Sequence, residues 1–244
     1  MTAKNRTFHV EHEPPAPPHS APGTAVHSIL AAGLRELELD EGLAQPLCTL
    51  TELLAQWASR MNLTGHRTPE GIARRLILDA LALGRALPIR APTSLVDLGS
   101  GAGFPGLPLA ICWPRTRVTL VEARARRHHF QRAAVRTLGL VNAEPRRGRI
   151  EELPAEPHEV AVAQALAGPE QAVAWMRPWV APGGWLVLAR TPESPELAAP
   201  EGFETGRSIL YQVPCSGPTR ALWIARRAVD GPREPVVRRE RSPS

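Results

Sequence analysis

Residues 95–106 read LVDLGSGAGFPG, and this stretch decides the fold class. It opens with an apolar run interrupted by one aspartate, which is typical of a buried strand. Glycines then stand at alternate positions, 99, 101 and 103, and Pro105 follows where a helix would begin. A strand, a glycine-rich turn and a helix in this order predict the first half of a βα unit.

The chain after this stretch alternates between short apolar runs and helical segments. We expect helices after the glycine turn and at 123–138 and 170–179, and strands at 94–98, 118–121, 143–145, 160–163 and 185–188. Such alternation predicts an α/β fold with a doubly wound parallel sheet, which is Rossmann-like. Two last strands, 208–213 and 221–225, flank a loop around Gly217 and predict a C-terminal antiparallel hairpin.

The part before the sheet is predicted to be helical. Apolar residues recur at helical spacing over 26–37 and 47–57, and a third helix begins near Thr68-Pro69-Glu70. The ends are rich in proline and polar residues, which disfavour a packed core. We therefore divide the chain into a disordered tail (1–24), a helical N-terminal cap (25–90), an α/β domain (91–228) and a disordered basic tail (229–244).

Composition narrows the class of protein. The chain has 244 residues and a formal net charge of +5, and Lys4 is the only lysine among its 29 basic residues. Arginine suits phosphates and bases, which makes nucleic acid a reasonable partner, although a coding bias would give the same composition. No apolar run is long enough for a membrane span or a secretory signal, so we expect a cytoplasmic protein without a membrane partner. The three scattered cysteines predict no metal site.

The glycine turn predicts a cofactor site at the carboxyl edge of the sheet. Asp97 can hold a positive group such as the α-ammonium of S-adenosylmethionine, and Gly99, Gly101 and Gly103 let backbone approach a bulky ligand. Glu122, at the end of the second strand, can accept from ribose hydroxyls. Positions 101–106 also match G-x-G-x-x-G, so a dinucleotide fold is the alternative. Asp97 and the helical cap favour S-adenosylmethionine.

With these residues in hand, the chain resembles the glucose-inhibited division protein B family, the small-subunit ribosomal RNA methyltransferases G. The most specific piece is residues 97–110, in which Phe104-Pro105-Gly106 follows the glycines. Supporting pieces lie at 61–64, 75–79, 138–142, 148–152 and 182–184. The resemblance implies a class I S-adenosylmethionine-dependent methyltransferase that methylates N7 of a guanine in 16S ribosomal RNA. It also implies cofactor contacts from Gly99, Phe104, Ile150 and Glu151.

The sequence departs from the family pattern near the expected active site. The motif Arg-His-x-x-Asp-Ser reads Arg75-Leu76-Ile77-Leu78-Asp79-Ala80, the Arg after the fourth strand is Gln164, and Lys-Gly after the fifth is Arg190-Thr191. We assign Gln164 to the cofactor site and name Arg190 and Asp79 as candidate catalytic residues. A non-catalytic or altered-substrate RNA-binding protein with the same fold is the alternative function.

A basic surface for RNA is predicted on the helix after the second strand. Arg124, His128, Arg132 and Arg136 fall at a spacing of four, and no acid lies between Glu122 and Glu144. We expect Arg124, Arg132, Arg136 and Arg67 to contact 16S ribosomal RNA or the assembling small subunit, with the protein acting as a monomer. The alternative is an ordinary solvated face.

A covalent mechanism is a further alternative from the sequence. Pro214-Cys215-Ser216-Gly217 resembles the nucleophile motif of RNA cytosine-C5 methyltransferases, in which a thiolate attacks the base. That motif follows the fourth strand, however, whereas Cys215 falls in the last hairpin. Guanine N7 carries a free lone pair, so its methylation needs neither this thiolate nor a general base.

Overall fold

The computed structural model describes residues 24–164, 166–204 and 206–229 of the protein. Within these ranges the helices are α1 (Thr24–Glu36), α2 (Ala44–Ala58), α3 (Pro69–Ile72), α4 (Leu78–Ala86), α5 (Gly106–Cys112), α6 (Ala125–Leu138) and α7 (Pro169–Met176). A π-helical turn, Ala73–Ile77, joins α3 to α4, and short 3-10 turns lie at Glu41–Leu43 and Arg177–Trp179. The strands are β1 (Ser94–Leu98), β2 (Arg117–Glu122), β3 (Ala143–Arg147), β4 (His158–Ala163), β5 (Val180–Arg190), β6 (Arg207–Gln212) and β7 (Thr219–Arg226).

The strands form one sheet in the order β3-β2-β1-β4-β5-β7-β6. The first five are parallel, and β7 runs antiparallel between β5 and β6. Pro145 is tolerated in β3 because that strand lies at the edge of the sheet, where one side of the backbone needs no partner. The predicted doubly wound sheet with a C-terminal antiparallel hairpin is confirmed.

Each face of the sheet packs against its own helices. One apolar cluster joins the cap helices, α5 and α6 to side chains such as Leu95 and Leu120. The other joins α7 to side chains such as Val96 and Leu98, together with Trp179 and Trp223. Since β1 residues alternate between the two clusters, the strand is buried on both sides, as its continuous apolar sequence predicts.

Local signals set the ends of the helices around the sheet. The Thr68 hydroxyl accepts from the Gly71 amide at 3.1 Å and caps α3, which Pro69 begins. Gly139 ends α6 in the left-handed conformation, with φ of 64°. The predicted 170–179 helix instead ends at Met176, where the 3-10 turn containing Pro178 takes over.

Helices occupy the predicted cap, and the sheet occupies the predicted α/β domain. The two predicted tails lie outside the described residues, except for Thr24, which begins α1, and Val229 at the other end. In the part of the chain that the structure describes, no helix is long and apolar enough to cross a membrane.

Candidate active site

The glycine turn joins β1 to α5 at the carboxyl edge of the sheet. The Ser100 amide donates to Val121 O at 3.0 Å, which attaches the turn to β2, and the Gly103 amide donates to Ser100 O at 2.8 Å. Gly99, Gly101 and Gly103 have φ of 71°, 59° and 87°. These left-handed conformations disfavour any side chain, so the alternating glycines are required by the backbone itself.

Asp97 lies beneath this turn. It is fully buried, and its Oδ2 accepts from the Gly106 amide at 2.8 Å, which fixes the start of α5. Its Oδ1 has no hydrogen-bond partner among the described residues. Burial raises the pKa of this carboxyl to about 7, the Gly106 hydrogen bond opposes the rise, and the Glu122 charge adds to it. Asp97 therefore holds the turn and retains one unpaired buried oxygen.

Glu122 holds the turn from β2. Its Oε2 accepts from the Gly101 amide at 3.0 Å, and its Oε1 accepts from the Arg124 amide at 2.7 Å. Arg127 Nη1 lies 3.8 Å from Oε2. Each carboxylate oxygen can accept more than one hydrogen bond, so a ribose hydroxyl can be bound while these contacts persist.

Gln131 is a third support of the turn, and it was not among the residues predicted from the sequence. It projects inward from α6, where its Nε2 donates to Ser100 Oγ at 2.7 Å and to Gly101 O at 2.8 Å. The side chain is fully buried. Its sequence signal is an uncharged polar residue directly after the apolar Phe130 in an otherwise basic helix.

A pocket of about 410 Å³ lies in front of the turn. Its walls include Gly99, Glu122, Ile150 and Glu151, so the structure brings four of the predicted cofactor residues together. It is also lined by residues that we did not predict, among them Trp175 and Leu166. The predicted Asp97, Gly101, Gly103 and Phe104 do not line it: they form or support the turn behind it.

A second pocket, of about 460 Å³, adjoins the first across Leu166, which lines both. Gln164 lies here, away from the pocket that holds Glu122 and Ile150. The candidate catalytic residues Asp79 and Arg190 also line the second pocket. The remaining polar walls include Tyr211 and Arg220 from the C-terminal hairpin, which were not predicted from the sequence.

The comparisons with known proteins decide the family. Residues 44–217 match the GidB family, described as rRNA small subunit methyltransferase G. The chain belongs to this family. The ribosomal RNA small subunit methyltransferase G of Xanthomonas oryzae pv. oryzae is 36% identical over 207 residues, which is 83% of this chain and 96% of the relative. That of Chromohalobacter salexigens is 37% identical over 209 residues, or 84% of this chain and 99% of the relative.

A solved structure agrees with the GidB assignment at the level of the fold. The mitomycin 7-O-methyltransferase MmcR superposes with a TM-score of 0.53 at 18% identity, over 85% of this chain and 69% of that one. The predicted class I methyltransferase fold is thus confirmed, and membership of the GidB methyltransferase family supports the predicted S-adenosylmethionine cofactor.

The residues of this GidB protein fit that cofactor. Asp97 Oδ1 is an unpaired acceptor behind the glycine turn, and its charge favours an ammonium group on the pocket side of that turn. An ideal Cβ on Gly99 would lie 2.6 Å from Leu166 Cδ1, so only glycine lets Leu166 pack this closely against the turn at the edge of the pocket. Beside it, the Glu122 carboxylate and the nearly buried Ile150 side chain line the same pocket, where they suit a ribose and an adenine.

The predicted RNA-binding arginines lie outside the two pockets, with one exception. Arg124 lines the cofactor pocket, whereas Arg132 and Arg136 are exposed two and three turns further along α6. Within the described ranges, these three arginines make no ion pair. Arg67 is exposed in the loop between α2 and α3 and lines neither pocket.

Cys215 lies away from both pockets, in the turn between β6 and β7. Its amide donates to Glu36 Oε2 at 2.8 Å, and its Sγ lies 3.9 Å from Ile29 O, so it packs against the cap. Burial raises the pKa of the thiol, and Glu36 adds to this rise. Both observations disfavour a nucleophile. Among the residues described, no cluster of three or more His, Cys, Asp or Glu could hold a metal ion.

Proposed function

We propose that this protein transfers the methyl group of S-adenosylmethionine to N7 of a guanine in 16S ribosomal RNA. The observation that carries the proposal is the pair of adjoining pockets in a GidB protein: one is lined by four of the predicted cofactor residues, and the other has room for a base. The relatives named as ribosomal RNA small subunit methyltransferase G support the RNA substrate. The choice of N7 rests on the resemblance described above.

The methyl transfer depends more on the orientation of the two reactants than on acid or base catalysis. The cofactor supplies an electrophilic methyl group on a sulfonium, and guanine N7 offers a lone pair without a proton to remove. The residues around Leu166 would hold N7 in line with that group and exclude water. Positioning of this kind can supply about 7–11 kcal/mol of a barrier. Gln164 and Ser194 give this pocket neutral hydrogen-bonding groups.

Asp79 and Arg190 take different parts in this proposal. The side chain of Asp79 is only 16% exposed and lies in the second pocket, where its carboxylate is ion-paired with Arg220 and acts on the substrate through that arginine. Arg190 Nη2 donates to Pro195 O at 3.0 Å, which leaves Nη1 for another acceptor. The target guanine must be unstacked to reach either residue, because a stacked base is shielded by its neighbours.

The substrate is proposed to be 16S ribosomal RNA, free or within an assembling small subunit, and the enzyme is proposed to act as a cytoplasmic monomer. The decisive experiment is mass mapping of modified nucleosides in ribosomal RNA from cells with and without the gene. Loss of one 7-methylguanosine supports the proposal. An unchanged set of modified nucleosides rejects it.

A non-catalytic RNA-binding protein is the competing function, and the replacement of the family Arg by Gln164 is the observation that favours it. Calorimetry with S-adenosylmethionine separates the two. Micromolar binding supports the enzyme, and no binding at millimolar concentration supports the non-catalytic protein.

A further inference from the structure

The second pocket carries an excess of positive charge. Its charged walls are Arg190, Arg220 and Asp79, so its formal charge is +1. Arg190 Nη1 and Arg220 Nε are buried without a hydrogen-bond partner among the described residues. Arg190 Nη1 thus has no acceptor and Arg220 Nε has only a poorly aligned one in Asp79, which favours a ligand that supplies further acceptors.

Arg220 is held in place by two neighbours. Its Nε lies 3.3 Å from Asp79 Oδ2, as an ion pair without the alignment of a hydrogen bond, and the Tyr211 hydroxyl donates to Asp79 Oδ1 at 2.8 Å. Tyr211 and Arg220 are directly opposite each other on β6 and β7, so their side chains share one face of the hairpin. Both oxygens of Asp79 are thus engaged, and the carboxylate orients the arginine.

Arg190 reaches the same pocket from the other face of the sheet. It pairs with Ala221, the neighbour of Arg220, and adjacent residues of a strand point to opposite faces. Both arginines line the pocket at the carboxyl edge. Two guanidinium groups that converge from opposite sides suit an anion with several acceptor oxygens, which is the chemistry of a phosphate.

We propose that Arg190 and Arg220 bind a backbone phosphate of the RNA at or next to the target nucleotide, and that Asp79 and Tyr211 are positioning residues for Arg220. This inference rests on the proposed function, because it takes the second pocket to be the RNA pocket. It adds a phosphate site that is separate from the arginines on α6. The carboxylate of the cofactor is the rival anion, and the experiment distinguishes the two.

The test compares Arg190→Gln, Arg220→Gln and the double variant with Arg207→Gln. Arg207 is a matched control because it is exposed on β6 and its replacement removes the same charge from the hairpin. Equilibrium binding of a 16S ribosomal RNA fragment is measured over a series of salt concentrations. The affinity for S-adenosylhomocysteine is measured by calorimetry on the same preparations.

Each pocket variant is expected to weaken RNA binding about tenfold and to reduce the salt slope by about one, while Arg207→Gln changes neither. Affinity for S-adenosylhomocysteine should stay within about twofold of the unaltered protein. A loss of S-adenosylhomocysteine affinity would instead assign the arginines to the cofactor carboxylate. An unchanged salt slope in the double variant would also overturn the proposal.

Two features separate phosphate binding from folding and from catalysis. Arg220→Lys is a conservative variant, and RNA binding is measured without methyl transfer. Lysine keeps the charge but cannot make the same forked interaction, so it should restore the salt slope without restoring full affinity. If the unaltered protein binds RNA but methylates none, the proposed function fails, while the phosphate site is still tested by binding.

Discussion

The Tyr211 hydroxyl donates a 2.8 Å hydrogen bond to Asp79, and this contact joins the last hairpin to the N-terminal cap across 132 positions of sequence. Burial, followed by the Asp79 charge and this hydrogen bond, raises the pKa of Tyr211 above its usual range. The phenol therefore stays protonated and donates at neutral and mildly alkaline pH. The two segments that enclose the second pocket are fixed to each other here.

Replacing Tyr211 with Phe should destabilise the protein, because it leaves an Asp79 oxygen without its donor. The expected cost is about 1–3 kcal/mol in the free energy of unfolding, measured by urea denaturation. Thr219→Val is the control, since it removes an exposed 2.8 Å hydrogen bond to Gln212 in the same hairpin. Equal costs for the two variants would contradict the structural role of the partly buried hydrogen bond between Tyr211 and Asp79.

Asp97→Asn should change how stability depends on pH. The folded protein raises the pKa of Asp97 to about 7 from an ordinary value near 3.9, so folding favours its protonated form. That contribution is complete below pH about 4 and is lost as the pH rises through about 7. The variant should therefore gain stability relative to the unaltered protein between pH 4 and 7. Asp40→Asn, in an exposed turn, is the control, and a difference that does not vary with pH would refute the expectation.

The Asp97→Asn variant should also bind the cofactor more weakly. Asparagine can still accept from the Gly106 amide, but it carries no charge for an ammonium group, so affinity should fall about tenfold or more. Between pH 5.5 and 7 the unaltered protein should bind S-adenosylmethionine more tightly as the pH rises, because Asp97 ionises. Calorimetry across this range should give a pH-independent affinity for Asp97→Asn. Parallel pH profiles would show that Asp97 does not meet the cofactor.

Gly99→Ala and Gly139→Ala form a matched pair. Both glycines are left-handed, at 71° and 64°, so each alanine should cost about 1–2 kcal/mol of stability. At Gly99 the new Cβ also meets Leu166, whereas nothing lies within 4 Å at Gly139. Only Gly99→Ala should reduce S-adenosylhomocysteine affinity, by about tenfold or more. Equal affinities in the two variants would place the cofactor elsewhere.

The arginines on α6 make a separate prediction. Replacing Arg124, Arg132 and Arg136 with Gln should weaken RNA binding and lower the salt slope by roughly one for each RNA phosphate that is no longer neutralised. The control replaces Arg60, Arg115 and Arg177 with Gln. These arginines are exposed, and their replacement removes the same charge. If both triple variants bind RNA alike, the α6 arginines are a solvated face.

Features encoded within a short stretch of sequence were predictable. The strand at 94–98, the Thr68 cap and the glycine turn each depend on neighbouring residues, and the structure places them as expected. The strand expected at 185–188 is longer, Val180–Arg190, because a register shift against β4 lets pairing resume beyond Gly183, which has a left-handed φ of 77°. Strand pairing thus overrides the turn that Gly183 and Gly184 would otherwise favour.

Contacts between distant segments were not predictable in this way. Gln131 reaches a turn about 30 residues away, and Arg220 meets Asp79 from the other end of the chain. Nothing in the spacing of these residues relates them, since the sheet order alone brings β6 and β7 beside the cap. Gln164 shows the same limit: it follows the fourth strand as expected, yet it lies in the second pocket rather than the first.

Gln131 and Arg132 are consecutive residues of α6 with opposite surroundings. The first is buried and donates to the backbone of the glycine turn, and the second is exposed among the arginines predicted to meet RNA. If Arg132 contacts RNA as predicted, one rigid helix supports the cofactor turn on its inner face and binds RNA on its outer face. A shift of α6 that one ligand stabilises should therefore change the affinity for the other ligand. Thermodynamic linkage requires each ligand to change the affinity for the other by the same factor, whichever binds first.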